Sequence, residues 1–316
     1  MRTVTIAIRR PIAVLAACAA VGAMVTGCGA GPEQIGAAAV VGGHTIPLDV
    51  VQQQITSVLA DSADARKLQQ QKPSTFPPIA RTVVQLAVWH ELSNQLAAKA
   101  GVKVNEDQVD QAYNQSVAAN QFPTFPGPAT IPIKGQMFKD FIHDNLVWNA
   151  IGMKQAGTAS FTYDFGVTQD RNSAQALVDK VVANPDQHVA IFNAASAGSS
   201  RPTTNQTGGL ATVPPELAPM FKANAGSVIA FPVQDENIWV VVYVLKRSDN
   251  AGDTSGGQDV SQVAGTFGQA QMIRSAQQVG VTLNPRFGVW EPLTGYVSPS
   301  DGESSSISAT VRKPNP

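Results

Sequence analysis

Cysteine is nearly absent from these 316 residues: Cys18 and Cys28 are the two present, and both fall near the N-terminus. The body of the chain therefore has no disulfide framework, no thiolate metal ligands and no thiol nucleophile. Histidine is scarce as well. His44, His90, His143 and His188 lie in four different elements with no metal-ligand spacing among them, so no metal site and no cofactor is read from the sequence. His90, on a helical stripe, reads as a partly buried histidine satisfied by a neighbour. Charged residues make up 14% and aromatics 6%, and the formal net charge is -1. No basic field exists to hold a phosphate backbone, so nucleic acid is not an expected partner. After residue 25 no apolar run is long enough to span a bilayer. Gly-x-Ser-x-Gly, phosphate-loop and His-Glu-x-x-His patterns are missing, which leaves hydrolase, kinase and metalloenzyme readings without residues.

The N-terminus has the make-up of an export leader. Arg2, Arg9 and Arg10 form a positive region, and Pro11 to Val25 an apolar one. Val25-Thr26-Gly27-Cys28 resembles a bacterial lipobox, in which the cysteine is lipidated and becomes the new N-terminus. Leu15-Ala16-Ala17-Cys18 is a second match, but it leaves only about seven apolar residues after Arg10, at the short limit. Residues 1–28 are therefore expected to be a lipoprotein signal peptide, with Cys28 lipidated. A plain secretory signal or an N-terminal membrane helix is the alternative. Pro11 and the Gly29-Ala30-Gly31-Pro32 run speak against a continuing helix. Cleavage before Cys28 leaves a protein held at a membrane by its acyl chains and otherwise soluble outside it.

Residues 29–36 read as a tether. Ala37 to Val41 and His44 to Ile46 form a strand pair about Gly42-Gly43. Leu48, Val51, Ile55, Val58 and Leu59 repeat at helical spacing after Pro47. Asp61 to Pro78 reads as a loop. Ile79, Val83, Leu86, Trp89 and Leu96 form one stripe of a long helix ended by Gly101. Asn105 caps the next helix. Gln121 to Ile133 holds four prolines and is not helical. Phe138, Phe141, Ile142, Leu146, Ala150 and Met153 mark another amphipathic helix. The pattern then changes to a strand at Phe161–Val167, helices near 174–182 and 187–196, a short helix at Leu217–Ala223, and the apolar strand Ile238–Leu245. Val260, Val263, Phe267 and Ala270 mark a last helix, weakened by Gly265 and Gly268. Asn284 to Gly288 is an ordered turn. Residues 299–316 are Ser-rich, lack large apolar clusters and are expected to be disordered.

Val41-Gly42-Gly43-His44-Thr45-Ile46 and Gly101-Val102-Lys103-Val104-Asn105-Glu106-Asp107-Gln108-Val109 resemble two segments of the N-terminal domain of SurA/PrsA-type extracytoplasmic foldases. Within Phe161–Leu245, Gly208-Gly209-Leu210, Leu217, Phe221, Gly226-Ser227-Val228-Ile229 and Pro232-Val233 resemble the parvulin-type prolyl isomerase domain of that family. The resemblance covers about residues 37–290. It implies an α+β fold with a helical N-terminal chaperone domain (37–157) and an intervening parvulin-like α/β domain (160–248). A linker (249–257) and a C-terminal helix and turn (258–290), which completes the helical domain, follow. It also implies that Leu217, Phe221, Trp239 and Tyr163 line a proline or client pocket.

The departures from the family bear on activity. Parvulins carry a histidine on the first strand and another at the start of the last. Here those regions read Phe161-Thr162-Tyr163-Asp164-Phe165 and Asn237-Ile238-Trp239. The loop position that holds Cys or Asp in active members falls near Ser200 or Arg201. No catalytic residue is therefore assigned. The expected function is a lipid-anchored envelope chaperone or foldase that binds unfolded or nascent exported proteins, with isomerase activity weak or lost. Phe122 and Phe125 are its candidate client-contact loop, against the plain alternative that both rings are tucked into the core. For Leu217 and Phe221, plain core packing stands beside the pocket reading. An active prolyl isomerase and a structural lipoprotein with one dedicated partner remain alternatives.

Overall fold

The computed structural model describes residues 36–127, 129–196, 203–233, 237–257, 259–300, 302 and 304–311. The leader, Cys18, Cys28, most of the tether and the loop at Ser200 and Arg201 lie outside the described residues. The chain is a mixture of helix and sheet organised around three apolar clusters.

The first cluster belongs to a helical assembly. Strands β1 (Ala37–Val41) and β2 (His44–Pro47) pair antiparallel, turning at Gly42 and Gly43 with positive φ. Helix α1 (Leu48–Asp61) follows at once. The expected loop after it contains helix α2 (Ala63–Gln70), because Ser62 caps it by accepting from the Ala65 N–H at 3.1 Å. Ala65 and Leu68, three residues apart, bury its inner face. Helix α3 (Pro77–Ala100) is the spine of the assembly and ends on Gly101 in the left-handed conformation. Helix α4 (Glu106–Ala119) starts where Asn105 accepts from the Asp107 N–H at 2.9 Å. The proline-rich stretch forms a small hairpin of β3 (Thr124–Phe125) and β4 (Ile131–Pro132) before helix α5 (Gly135–Gln155).

The second assembly is a five-stranded antiparallel sheet. Its strands are β5 (Ser160–Thr168), β6 (Gln206–Gly208), β7 (Ser227–Val233), β8 (Ile238–Ser248) and β12 (Ile307–Thr310), in the order β12-β7-β8-β5-β6. Helices α6 (Arg171–Ala183) and α7 (His188–Ala195) cover one face through Leu177, Val178, Val181 and Phe192. The 3₁₀ helix Pro215–Lys222 and helix α8 (Ser261–Val279) cover the other.

Helix α8 belongs to both assemblies. Phe267 and Ala270 enter the sheet cluster, while Met272, Ile273 and Ala276 enter the helical one. Beyond it, β9 (Val281–Leu283) pairs with β1. The chain then forms a short hairpin of β10 (Val289–Trp290) and β11 (Val297–Ser298) against α3. There Trp89 Nε1 donates to the Gly295 carbonyl at 2.7 Å.

The disordered reading of 299–316 is corrected for its described part. Ile307 fills the cluster under α6, and Ile307–Thr310 pairs with β7 from Ala230 to Ser227. Ser305, one of the serines that suggested disorder, joins Ser298 in serving a buried acid. Glu291 accepts from the Ser305 N–H at 3.2 Å, from the Ser305 hydroxyl at 2.9 Å and from the Ser298 hydroxyl. No helix among the described residues is long and apolar enough to cross a membrane.

Candidate functional site

The period of two along β5 and β8 decides which side chains meet. Phe161 and Tyr163 of β5 point to the α8 side together with Val240, Val242 and Val244 of β8. Trp239, Val241 and Tyr243 point the other way, towards α6. Trp239 therefore does not join Tyr163, Leu217 and Phe221. It packs under α6, where the Arg171 guanidinium lies 5.6 Å from its ring. This corrects the expected four-residue pocket.

Leu217, Met220 and Phe221 come from the 3₁₀ helix, a turn entered through Pro214 and Pro215, where a missing N–H costs nothing, and containing Pro219, which removes a backbone donor that an α-helix would use. At three residues per turn, Leu217 and Met220 eclipse each other, and both are fully buried. Phe221 falls at the edge of that row. Its ring lies 5.1 Å from Phe161 and 6.1 Å from Phe267 of α8. Helix α8 thus covers much of the sheet face on which a proline would have to rest. Leu217 and Tyr163 are core residues beneath the surface, and of the four expected pocket residues only Phe221 lines the cleft beside α8.

That cleft is apolar, about 350 Å³ in volume, and lies between the 3₁₀ helix and α8. Leu210, Val213, Ala218, Pro219 and Phe221 form one wall, and Val263, Phe267 and Ala270 the other. Val263 on the rim is 43% exposed. The second wall was readable only in part. The sequence marks Val263, Phe267 and Ala270 as one face of a helix, but nothing in it says which surface that face meets. Burial lowers the pKa of Lys222 on the cleft wall. Beneath it, burial raises the Tyr163 hydroxyl above its ordinary value, with the field of Glu216 adding to the effect. The cleft favours apolar contact because, apart from Lys222, Thr266 and Gln269, its lining is apolar.

None of the four histidines reaches this face. His188 touches the sheet from the opposite side, where its Nδ1 bonds the fully buried Asp164. Asp164 also accepts from the Asn205 N–H at 2.6 Å, so this pair ties α7 and the strand leading into β6 onto β5. The candidate client-contact loop is likewise inward. Phe125 is 3% exposed, and Phe122 packs edge-on against Phe138 at 5.6 Å beneath Lys134. Its two rings belong to the helical core, and the client-contact reading of Phe122 and Phe125 is withdrawn.

No protein-family model matches this chain, and no curated protein is significantly similar to it. Among solved structures it is similar to a peptidylprolyl isomerase (PrsA) from Bacillus anthracis, with 14% identity over 61% of this chain and 91% of that one, at a TM-score of 0.25. A foldase protein PrsA from Streptococcus pneumoniae gives 12% identity, 66% and 88% coverage and a TM-score of 0.26. A foldase protein (PrsA) from Lactococcus lactis gives 14%, 78%, 94% and 0.24. At these TM-scores the chains do not superpose as wholes.

Proposed function

We propose that this protein is a lipid-anchored chaperone of the cell envelope. It would hold short apolar segments of unfolded exported proteins in the cleft between the 3₁₀ helix and α8, without isomerising their X-Pro bonds. The carrying observation is the cleft itself: an apolar groove of about 350 Å³. That is near the lower end of ligand-sized cavities, roughly 300–1,000 Å³, which suits one or two side chains of an extended peptide. Reversible, sequence-tolerant apolar contact is what a holding chaperone needs.

Isomerisation must lower a barrier of about 20 kcal/mol, and the two regions where an isomerase of the resembled type has histidines read Phe161-Thr162-Tyr163-Asp164-Phe165 and Asn237-Ile238-Trp239, without one. The lipid anchor rests on the sequence at Cys28.

A light-scattering assay of an aggregating client tests the reading. The mature protein at several-fold molar excess is expected to suppress aggregation. Val263→Asp, on the exposed rim, is expected to lose most of that effect while keeping the parent's far-UV spectrum. No suppression by the parent, or undiminished suppression by the variant, overturns it. A proline-peptide exchange assay on the parent is expected to run at the uncatalysed rate. Cys28→Ser is expected to move the protein from the membrane fraction to the soluble one.

A further inference from the structure

Away from the cleft, the structure gathers side chains that the sequence keeps apart. His90 of α3 meets His143 and Asp144 of α5. His90 Nδ1 is 2.9 Å from Asp144 Oδ1, and His143 Nδ1 is 3.4 Å from the same oxygen. The two imidazoles meet edge to face with centroids 5.4 Å apart. One ligand-type atom from each of the three residues lies within 4.8 Å of the others. Asp140, one turn before Asp144, brings Oδ1 to 4.0 Å from His90 Nε2. The side chain of Asp144 is 3% exposed, while those of His90 and His143 are 31% and 17% exposed, so the cluster is rooted in the core and open at its outer edge.

A plain reading makes Asp144 a buried carboxylate held by two imidazoles that tie α3 to α5. That reading explains the bonds but not the surplus of negative charge around them. Burial opposes a charge on His90, yet the Asp144 bond and the fields of Asp144, Asp140 and Glu91 together outweigh it and raise its pKa.

We propose that His90, His143 and Asp144 form a binding site for one divalent first-row transition-metal ion, with a position left open to water. Zinc binds imidazole nitrogen at about 2.0–2.1 Å and carboxylate oxygen at about 2.0–2.2 Å, which sets tetrahedral ligand-to-ligand edges of about 3.4 Å. The observed 2.9 and 3.4 Å lie close to that edge, and the ligand atoms of all three residues lie within 4.8 Å of one another. A ligating imidazole normally donates its other N–H to a carboxylate, and Asp140 stands on the Nε2 side of His90 to accept it. Two nitrogens and one carboxylate suit zinc, cobalt or nickel. Calcium and magnesium prefer sites built wholly of oxygen. Metal ions and protons compete for imidazole nitrogen, so affinity falls as the medium is acidified.

The test uses the full mature chain without a histidine tag, stripped with EDTA, and Zn²⁺ and Co²⁺ as probes. Calorimetry is expected to give one equivalent of Zn²⁺, and Co²⁺ to develop visible bands of tetrahedral intensity that Zn²⁺ abolishes. Thermal unfolding is expected to shift upwards with Zn²⁺. His143→Gln and His90→Gln are expected to weaken Zn²⁺ by more than tenfold. Asp140→Asn is expected to weaken it by about tenfold, as an outer partner does. Should His90→Gln fail to fold, His143→Gln and Asp140→Asn still decide the matter. Absence of one-equivalent binding at micromolar Zn²⁺, or an unchanged affinity in His143→Gln, overturns the proposal.

Discussion

Arg247 carries a charge where water hardly reaches, its side chain 4% exposed. Burial, with Arg274 nearby, pulls its pKa down to about 10 against the opposing pull of Asp249, which leaves it charged at neutral pH. The guanidinium survives there because its donors find acceptors in several directions. It donates to the carbonyls of Phe221 at 2.8 Å and Ala223 at 3.1 Å, to Asp249 at 2.8 Å and to Gln271 of α8 at 3.0 Å. Its plane lies 4.8 Å from the Phe161 ring. One side chain thus joins the end of β8, the end of the 3₁₀ helix and α8. Arg247→Met strips donors from several buried acceptors at once and is expected to cost about 3 kcal/mol or more, as removal of one partner from a buried pair does. Arg247→Lys should recover little of it, since an ammonium cannot fork to these acceptors. Urea unfolding reads this as a lowered midpoint at unchanged slope. Lys222 is the opposite case. Its folded pKa is lowered by burial, so the unfolded chain binds the proton more readily, and stability rises as pH climbs through the folded value towards the unfolded 10.5. Lys222→Met is expected to raise Tm at pH 7 and to lose that advantage near pH 10.

At the scale of elements, the pairing of α5 with α8 shows what sequence periodicity reaches and where it stops. Gly265 and Gly268 look alike in the sequence, two weak points in a helix. In the structure they differ. A Cβ on Gly268 would run into the Trp148 carbonyl of α5, and one on Gly152 into the Ala264 carbonyl of α8, so the two backbones approach through glycine on both sides. A Cβ on Gly265 would meet the amide end of Asn149 at 3.0 Å, a side chain that can swing away. Gly268→Ala is therefore expected to destabilise by about 1–3 kcal/mol through overpacking. Gly265→Ala should stay near neutral, its gain in helix propensity of about 1 kcal/mol offset by the crowded amide. Thermal melts of the two variants side by side make the comparison. The stripe of α3, the Gly101 stop and the Asn105 cap were legible because each is written within a few residues. Helix α2 was missed because its apolar content is small and its start depends on the Ser62 cap. The direction of Trp239 was missed because it depends on strand register. The meeting of His90 with His143 depends on how α3 packs on α5, which no local pattern encodes.

At the scale of the whole molecule, the chain leaves the helical assembly after α5, builds most of the sheet, and returns through α8 and β9 to close against β1. Because α8 supplies side chains to both clusters, neither has a complete core without it, and the protein is expected to unfold in one cooperative transition. The C-terminal stretch extends this coupling. Trp89 holds Gly295 on the helical side, Glu291 gathers Ser298 and Ser305, and a few residues later Ile307–Thr310 closes the edge of β7. Deletion of residues 300–316 separates a disordered tail from a structural strand. A disordered tail could be removed without effect. Loss of a strand frees the outer backbone groups of β7 from Ser227 to Ala230, opens the space filled by Ile307, and leaves Glu291 without the Ser305 N–H. Loss of one buried isoleucine side chain alone costs about 2–5 kcal/mol, and an unpaired strand edge is a template for association between chains. The truncated protein is expected to melt several degrees lower and to scatter light on warming before the parent does. A truncation that melts and scatters like the parent would mean that β12 does not hold the sheet edge.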